Sequence, residues 1–280
     1  MPAVLEDELG DILGKARRGQ ELELAAVAAA AGLSPEALER AERCQWVPPA
    51  DVVASLAPPL GLGPEQLVGA ARGSFSPRHP NGRPLTDLRV TMLELRQGYA
   101  VNGYLVMDRV STAAILVDPG ADAPAILAAI AEASASVRCV VLTHGHHDHT
   151  GALAEVCRAT GASAHISAGD LHALGPLREW VQGVAADGQE FTVGTQTLRV
   201  RAVPGHTEGG IWLVHPQAAW VGDAVFAGSM GRTSCRRDYA RLRDGVRAGL
   251  TSLADNACVF PGHGPATTAG EELQHNPFLA

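Results

Sequence analysis

The sequence lacks several features that define other classes of protein. Gly, Pro or a charged residue interrupts every apolar run well before the roughly 20 residues that a membrane-spanning helix needs. The N-terminus, MPAVLEDELGDILGK, is acidic and does not resemble a signal peptide, so we expect a cytoplasmic protein with no membrane partner. The five cysteines are dispersed and form no CxxC pair, which argues against a disulfide framework and against a thiolate zinc site.

An excess of basic residues is also missing. The 280-residue chain has 22 Lys and Arg against 30 Asp and Glu, which gives a formal net charge of −8. Proteins that bind the nucleic-acid backbone rely on clustered cations, so nucleic acid is a disfavoured partner. Hydrophobic residues make up 46% of the chain. That share supports a sizeable core, and the length suits one large domain and one small one.

The chain divides at residues 71–86, ARGSFSPRHPNGRPLT, which have no periodicity and suit a linker. Residues 1–70 have a helical pattern, including a helix that starts where Ser34 can cap and Pro35 can fill the first turn. Residues 87–280 alternate strand-like and helical runs, which predicts an α/β domain. We predict strands at 88–95, 101–108, 113–118, 138–143, 197–204, 210–215, 218–223 and 257–260, and helices at 122–133 and 239–253.

Residues 140–152, VVLTHGHHDHTGA, place four histidines and one aspartate directly after a strand-like apolar run. Imidazole and carboxylate groups crowded at a buried strand end would leave lone pairs unsatisfied unless a cation collects them. This cluster therefore favours a divalent metal site. A solvated polar turn is the simpler alternative.

Three further segments each place one potential metal ligand beside glycine at the end of a predicted strand. Glycine allows the backbone to approach closely, and strand ends are where sheet proteins build their sites. A single buried His or Asp is more often a hydrogen-bonded core or turn residue, but four such segments in order favour a common site. The three segments are Pro204-Gly205-His206-Thr207, Gly222-Asp223-Ala224 and Pro261-Gly262-His263-Gly264-Pro265.

The pattern THxHxDHxG, followed by PGH, GD and PGH, is similar to that of the metallo-β-lactamase fold superfamily over about residues 86–280. The resemblance implies a four-layer αββα sandwich, here preceded by a small all-α domain, with a site for two metal ions at one edge. It implies that the first ion is bound by His144, His146 and His206, the second by Asp148, His149 and His263, and that Asp223 bridges both.

Two divalent cations in such a site would share a hydroxide, lower its pKa and stabilise charge on the attacked oxygen, so no protein nucleophile is needed. Asp148 is the candidate catalytic residue, because it can orient the hydroxide or accept its proton. Histidine and carboxylate ligands suit zinc, although iron or manganese also fit. His147 is not a motif position, and we expect it to face away or to support the ligands. The remaining histidines are expected at the surface or in the linker: His79, His165, His172, His215 and His275.

The segments FAGSMGR (226–232) and GHGPATTAGEELQHNPFLA (262–280) resemble the short bacterial glyoxalase II-like hydrolases. This implies a hydrolase of a small-molecule thioester or related acyl ester. Larger glyoxalase II enzymes bind glutathione with a C-terminal helical domain that is not found here, so glutathione itself is not implied. Arg236 and Arg237 are candidate contacts for a substrate carboxylate, although a solvated loop is the simpler interpretation.

The same motif pattern also resembles that of a second enzyme class. Persulfide dioxygenase-like enzymes bind a single iron through two histidines and one aspartate and use O₂. Metal content therefore separates the two hypotheses, because hydrolysis implies two ions per chain and oxygen chemistry implies one iron.

Residues 22–67 resemble the lambda-repressor-like (XRE-type) helix-turn-helix family through Leu24, AGLS (31–34), Leu38 and Leu60-Gly61, although Pro58-Pro59 interrupts a helix that the family would continue. The DNA-reading helix would be 35–43, yet it is rich in Glu, and residues 1–80 hold seven cationic and eleven acidic residues. We therefore expect a module that packs against a partner chain, giving a homodimer, or that covers the active site. The alternative is a transcription regulator with a metal-site domain that senses a metabolite.

Overall fold

The structure, a computed structural model, describes residues 3–97 and 99–280. The α-helices are α1 (Leu9–Gly19), α2 (Leu24–Ala30), α3 (Pro35–Glu42), α4 (Ala50–Leu60), α5 (Pro64–Ala71), α6 (Ala123–Glu132), α7 (His147–Thr150), α8 (Leu153–Thr160), α9 (Arg236–Thr251) and α10 (Ala269–His275). The strands are β1 (Leu88–Gln97), β2 (Tyr99–Asp108), β3 (Ala113–Val117), β4 (Ser136–Val141), β5 (Ser163–Ile166), β6 (Val181–Val184), β7 (Glu190–Val193), β8 (Gln196–Ala202), β9 (Ile211–His215), β10 (Ala218–Gly222), β11 (Val225–Phe226), β12 (Ser229–Met230), β13 (Cys258–Pro261) and β14 (Thr267–Thr268). Ala168–Trp180 and Pro277–Leu279 form 3₁₀ segments.

The helix boundaries in the N-terminal part follow from local chemistry. The Ser34 hydroxyl accepts a hydrogen bond from the Ala37 N–H and caps α3, as the sequence predicts. Pro58 and Pro59 lie in the last turn of α4, and the helix ends where Gly61 adopts a left-handed φ of 63°. The helix therefore includes both prolines, and the interruption expected at Pro58-Pro59 is not found.

The strands form two six-stranded sheets. The first has the order β1-β2-β3-β4-β5-β6, and the second has the order β14-β13-β10-β9-β8-β7. All eight predicted strands are present, with ends within two residues of the prediction. The short strands β5, β6, β7, β11, β12 and β14 were not predicted, because two to four residues rarely show a period. The four-residue strand β13 was predicted because ACVF (257–260) is a continuous apolar run.

Three apolar clusters define the layers. Tyr104, Trp220 and Phe260 belong to the cluster between the two sheets. A second cluster joins the outer face of the first sheet to α6 and α8, and a third joins the second sheet to α9. The order helix, sheet, sheet, helix confirms the predicted αββα sandwich, which is preceded by a helical region.

The five helices α1–α5, called the N-terminal helical unit below, pack against the sandwich. Leu13 of α1 and Trp212 of β9 belong to one continuous buried cluster. Two hydrogen bonds join the same surfaces: the Gly63 N–H donates to the Pro277 carbonyl at 2.8 Å, and the Arg236 guanidinium donates to the Gln20 carbonyl at 3.0 Å. The unit therefore shares a core with the α9 side of the sandwich.

Two of the histidines expected at the surface lie elsewhere. His215 ends β9 and is buried, and its ring nitrogen accepts a hydrogen bond from the Gln217 N–H. His165 is half-buried on β5, with its ring 5.1 Å from the ring of Phe191. The expectation was wrong for both because each lies on a strand that packs in the sheet interior.

None of the helices within residues 3–97 and 99–280 has the length and apolar character to cross a membrane.

We expect Gly19→Ala to destabilise the protein. A Cβ atom at Gly19 would lie 2.7 Å from both Thr233 Oγ1 and Tyr239 Cδ2, so the N-terminal helical unit would be pushed from α9. Overpacking of this kind costs about 1–3 kcal/mol. The urea unfolding midpoint measures the effect.

Gly14→Ala in the same helix is the matched control. The three atoms nearest to its added Cβ all belong to the guanidinium of Arg18, whose side chain is exposed and can move. We expect its midpoint to equal or exceed that of the wild type, since Ala favours a helix over Gly. An unchanged midpoint for Gly19→Ala would show that the two surfaces are not packed together.

Candidate metal centre

The topology brings the ends of distant strands to one edge of the sandwich. β10 and β13 are parallel, and β8 runs in the same direction as β10 because antiparallel β9 lies between them. The residues that follow these three strands, His206, Asp223 and His263, therefore meet. The loop and helix α7 that follow β4 reach the same edge, so the structure brings all seven predicted ligands together.

The first group of ligand atoms consists of three imidazole nitrogens and one carboxylate. His146 Nδ1 lies 3.1 Å from His144 Nε2 and 3.0 Å from His206 Nε2. Asp223 Oδ2 is 4.0 Å from His144 Nε2 and 3.6 Å from His206 Nε2. Tetrahedral zinc–nitrogen bonds of about 2.0–2.1 Å separate the ligand atoms by about 3.3 Å. These spacings fit a metal ion at the centre of the group.

The second group adjoins the first through Asp223. Asp148 Oδ2 is 3.2 Å from His263 Nε2 and 3.6 Å from His149 Nε2. Asp223 Oδ1 is 3.3 Å from His149 Nε2, while its Oδ2 is 3.5 Å from His263 Nε2. The carboxylate of Asp223 thus faces both groups.

The outward-facing ring nitrogens of four histidines fix which nitrogen is free to bind a metal. His206 Nδ1 lies 2.9 Å from the Arg232 carbonyl and His263 Nδ1 lies 2.8 Å from the Ala100 carbonyl. Carbonyls only accept, so each Nδ1 carries a proton and Nε2 is the nitrogen that can bind a metal. This outer hydrogen bond is typical of metal-binding histidines.

Asp118 provides the same support for the other two histidines, and the sequence analysis missed it. Its carboxylate is buried at the end of β3 and accepts hydrogen bonds from the Thr143 N–H at 2.7 Å, the Thr143 hydroxyl at 2.6 Å and His149 Nδ1 at 3.0 Å. Because the Thr143 proton goes to Asp118, its oxygen can accept from His144 Nδ1, 3.1 Å away. The signal was available, since Asp118-Pro119-Gly120 places an acid at the end of a predicted strand, two residues before a glycine.

Asp170 was also missed. Its buried carboxylate accepts hydrogen bonds from the Gly145 N–H at 2.9 Å and the Gly209 N–H at 2.7 Å, and so ties the loop of His144 and His146 to the loop of His206. No sequence pattern indicated Asp170, because it lies in a 3₁₀ segment, 25 residues from Gly145 and 39 residues from Gly209.

Two buried atoms of the site need a cation. His149 Nε2 and Asp223 Oδ1 are enclosed and lie 3.3 Å apart, and neither makes a hydrogen bond within the described residues. Buried polar atoms without partners are costly. Glycine makes the enclosure possible, since a Cβ at Gly262 would lie 2.2 Å from Asp223 Oδ1. A metal ion would satisfy both atoms, so the residues present fit one.

The electrostatics of the first group also favour metal binding. Burial lowers the pKa of His144 far below its usual value and also lowers the pKa of His206, which keeps both imidazoles neutral and able to bind a metal.

In the second group, the carboxylates favour positive charge on the neighbouring histidines. Burial opposes protonation of His149, but the carboxylates of Asp223 and Asp118 outweigh it and raise its pKa to about 10. Burial likewise opposes protonation of His263, yet Asp148 and Asp223 raise its pKa to about 11. The pKa of Asp223 is far below its usual value despite burial, because of His149. The carboxylates therefore require cations beside them.

A cavity of about 640 Å³ opens onto the site. It is lined by residues of both the sandwich and the N-terminal segment: Glu6, Asp7, Lys15, His146, His147, Asp148, His206, Asp223, Phe226, Arg232 and His263. His147 lies exposed on its wall. Arg236 and Arg237 do not line it, since Arg236 donates to Gln20 and Arg237 pairs with Asp238 at 3.0 Å.

Comparison with known proteins gives two family matches. Residues 96–263 match the Metallo-beta-lactamase superfamily, and residues 8–68 match a helix-turn-helix domain. The hydroxyacylglutathione hydrolase GloC of Haemophilus influenzae is 30% identical over 200 residues, which cover 64% of this chain and 92% of that protein.

Two solved structures share the fold at similar identity. ETHE1 from Myxococcus xanthus is 27% identical with a TM-score of 0.58, and the match covers 67% of this chain and 83% of that one. TTHA1623, solved in a di-iron-bound form, is 28% identical with a TM-score of 0.57, and the match covers 68% of this chain and all of that one. With its sandwich, its divalent-metal site and an N-terminal helix-turn-helix domain, the chain belongs to the metallo-beta-lactamase superfamily.

Proposed function

We propose that this metal-dependent hydrolase holds two metal ions and cleaves a thioester, or a related acyl ester, of a small molecule. The observation that carries the proposal is the position of Asp223, whose two oxygens face both groups of ligand atoms. His144, His146 and His206 would hold one ion and Asp148, His149 and His263 the other. Two ions so held would supply a hydroxide nucleophile and stabilise charge on the attacked carbonyl oxygen.

The chain's own residues orient this chemistry. Asp118 fixes the ring of His149, and Asp170 fixes the loops on either side of the first group. Asp148 is the candidate proton acceptor, because its carboxylate is partly exposed to the cavity while Asp223 is buried. The 640 Å³ cavity has the size of a small-molecule site.

Zinc is the metal that we propose, since the ligands are imidazoles and carboxylates in a compact arrangement. Iron and manganese bind the same ligand types, and the di-iron form of TTHA1623 makes iron the first alternative.

The thioester specificity rests on relatives. GloC, at 30% identity over nearly its whole length, is named a hydroxyacylglutathione hydrolase. A thiolate is a good leaving group at neutral pH because thiols have a pKa near 8.5, so a strong general acid is not needed.

Thiol release tests the substrate class. We expect the purified protein to release thiol from S-lactoylglutathione or from an acyl-CoA ester, and the rate to fall to background after metal removal with a chelator and to recover on adding Zn²⁺. Thiol release that persists after complete metal removal would contradict the proposal. Hydrolysis of oxygen esters but not thioesters would leave the metallohydrolase but remove thioester specificity.

Metal content tests the number of ions. We expect elemental analysis of the purified chain to give two divalent ions per chain, and Asp223→Asn to lower this number, because the bridging carboxylate faces both groups. A single iron per chain, with oxygen consumption in the presence of a persulfide, would support the dioxygenase alternative instead.

The role of Asp118 can be tested with a conservative variant. We expect Asp118→Asn to weaken metal affinity by about 10–100-fold in a chelator competition, since it removes the charge behind His149. Asp122→Asn is the matched control, because Asp122 only caps α6 and Asn caps equally well. Equal metal affinity for the two variants would show that Asp118 does not support the ligands.

A further inference from the structure

The N-terminal segment forms part of the wall of the metal cavity. Glu6, Asp7 and Lys15 line the cavity together with five of the predicted ligands. The backbone of Glu6 runs over Gly264, the residue after His263, and a Cβ at Gly264 would lie 3.1 Å from the Glu6 nitrogen. Residues that precede the superfamily match in the sequence therefore lie, in space, directly beside the predicted ligand His263.

Lys15 is the unusual residue of this wall. It lies on the buried face of α1 among Leu9, Ile12 and Ala16, yet it carries a charge. Its side chain is 5% exposed and pairs with that of Asp7, which is 7% exposed. Its ammonium lies 4.7 Å from the centre of the Phe226 ring, and that ring is 5.9 Å from the ring of His263. Lys15 and His263 thus line the same cavity, with Phe226 in contact with both.

Stability alone does not account for such a pair. Burying an ion pair seldom adds net stability compared with apolar side chains of similar size. A Lys ammonium has three donor hydrogens and a single carboxylate need not use all of them. Arg232, the other cation in the cavity lining, lies 3.8 Å from Asp11 and its side chain is 70% exposed, so Lys15 is the enclosed cation of the lining.

We propose that the N-terminal helical unit supplies the substrate specificity of the site, and that Lys15 binds an anionic group, a carboxylate, on the substrate. The proposal rests on the hydrolase function proposed above and adds which substrates are preferred. Asp7 holds the ammonium in place and competes with the substrate carboxylate for it. In this arrangement the helix-turn-helix-like unit serves the enzyme as a wall of its active site.

Three thioesters of similar size provide the test on the 280-residue chain loaded with zinc. Butyryl-N-acetylcysteamine is neutral, succinyl-N-acetylcysteamine has a carboxylate on the acyl side, and S-butyryl-3-mercaptopropionate has one on the thiol side. We expect the wild type to prefer one of the two anionic substrates through a lower KM. Lys15→Met should raise KM for that substrate at least about tenfold, as expected for the loss of a charge-assisted hydrogen bond, with little change in kcat.

Two further variants separate binding from a structural role. Lys15→Arg keeps the charge and should retain the anionic preference. Asp7→Asn breaks the same ion pair but leaves the ammonium, so the preference should be retained or increased. Metal content and thermal unfolding of each variant provide the control for folding.

The outcomes are distinct. A wild type without anionic preference would overturn the proposal, as would a Lys15→Met variant that affects the neutral and anionic substrates equally. Loss of the preference in Asp7→Asn to the same extent as in Lys15→Met would also overturn it, because the pair would then act only as structure. A wild type that hydrolyses none of the three substrates would instead count against the proposed hydrolase function.

Discussion

The buried carboxylate of Asp223 is the constraint on which the rest of the site depends. It lies between two groups of imidazoles, with one oxygen enclosed and without a hydrogen-bond partner among the described residues. A charge in that position is tolerated only if cations lie beside it. The outer hydrogen bonds of Asp118, Arg232 and Ala100 turn the lone pairs of the imidazoles inward, so that the same point collects donors for a metal.

The two sheets bring the ligand loops together. Three strands of the second sheet run in one direction and end at the same edge, and the loop after β4 joins them from the first sheet. Glycines at the strand ends leave room for this convergence, as at Gly262, where a side chain would strike Asp223. The N-terminal helical unit covers the remaining side of the cavity. The core that it shares with α9 holds Lys15 in the cavity wall.

Most of the sandwich and the ligand set could be predicted from the sequence, because long apolar strands and the HxHxDH pattern are local signals. The eight predicted strands are confirmed, whereas six other strands of two to four residues carried no readable period. Asp170 could not be found because its partners are distant in sequence, and Lys15 could not be found because its neighbour in space, Phe226, is 211 positions away. Such contacts depend on tertiary packing, which one sequence does not display. Homodimerisation through the N-terminal unit stays a prediction.

Anomalous X-ray diffraction from crystals of the purified protein, recorded on both sides of the zinc absorption edge, would show how many metal ions the site holds. We expect a dinuclear site, with two anomalous peaks per chain separated by about 3.5–4 Å and the Asp223 carboxylate between them. One peak bound by two histidines and a carboxylate, or no peak at the edge of the sandwich in the presence of excess metal, would contradict it.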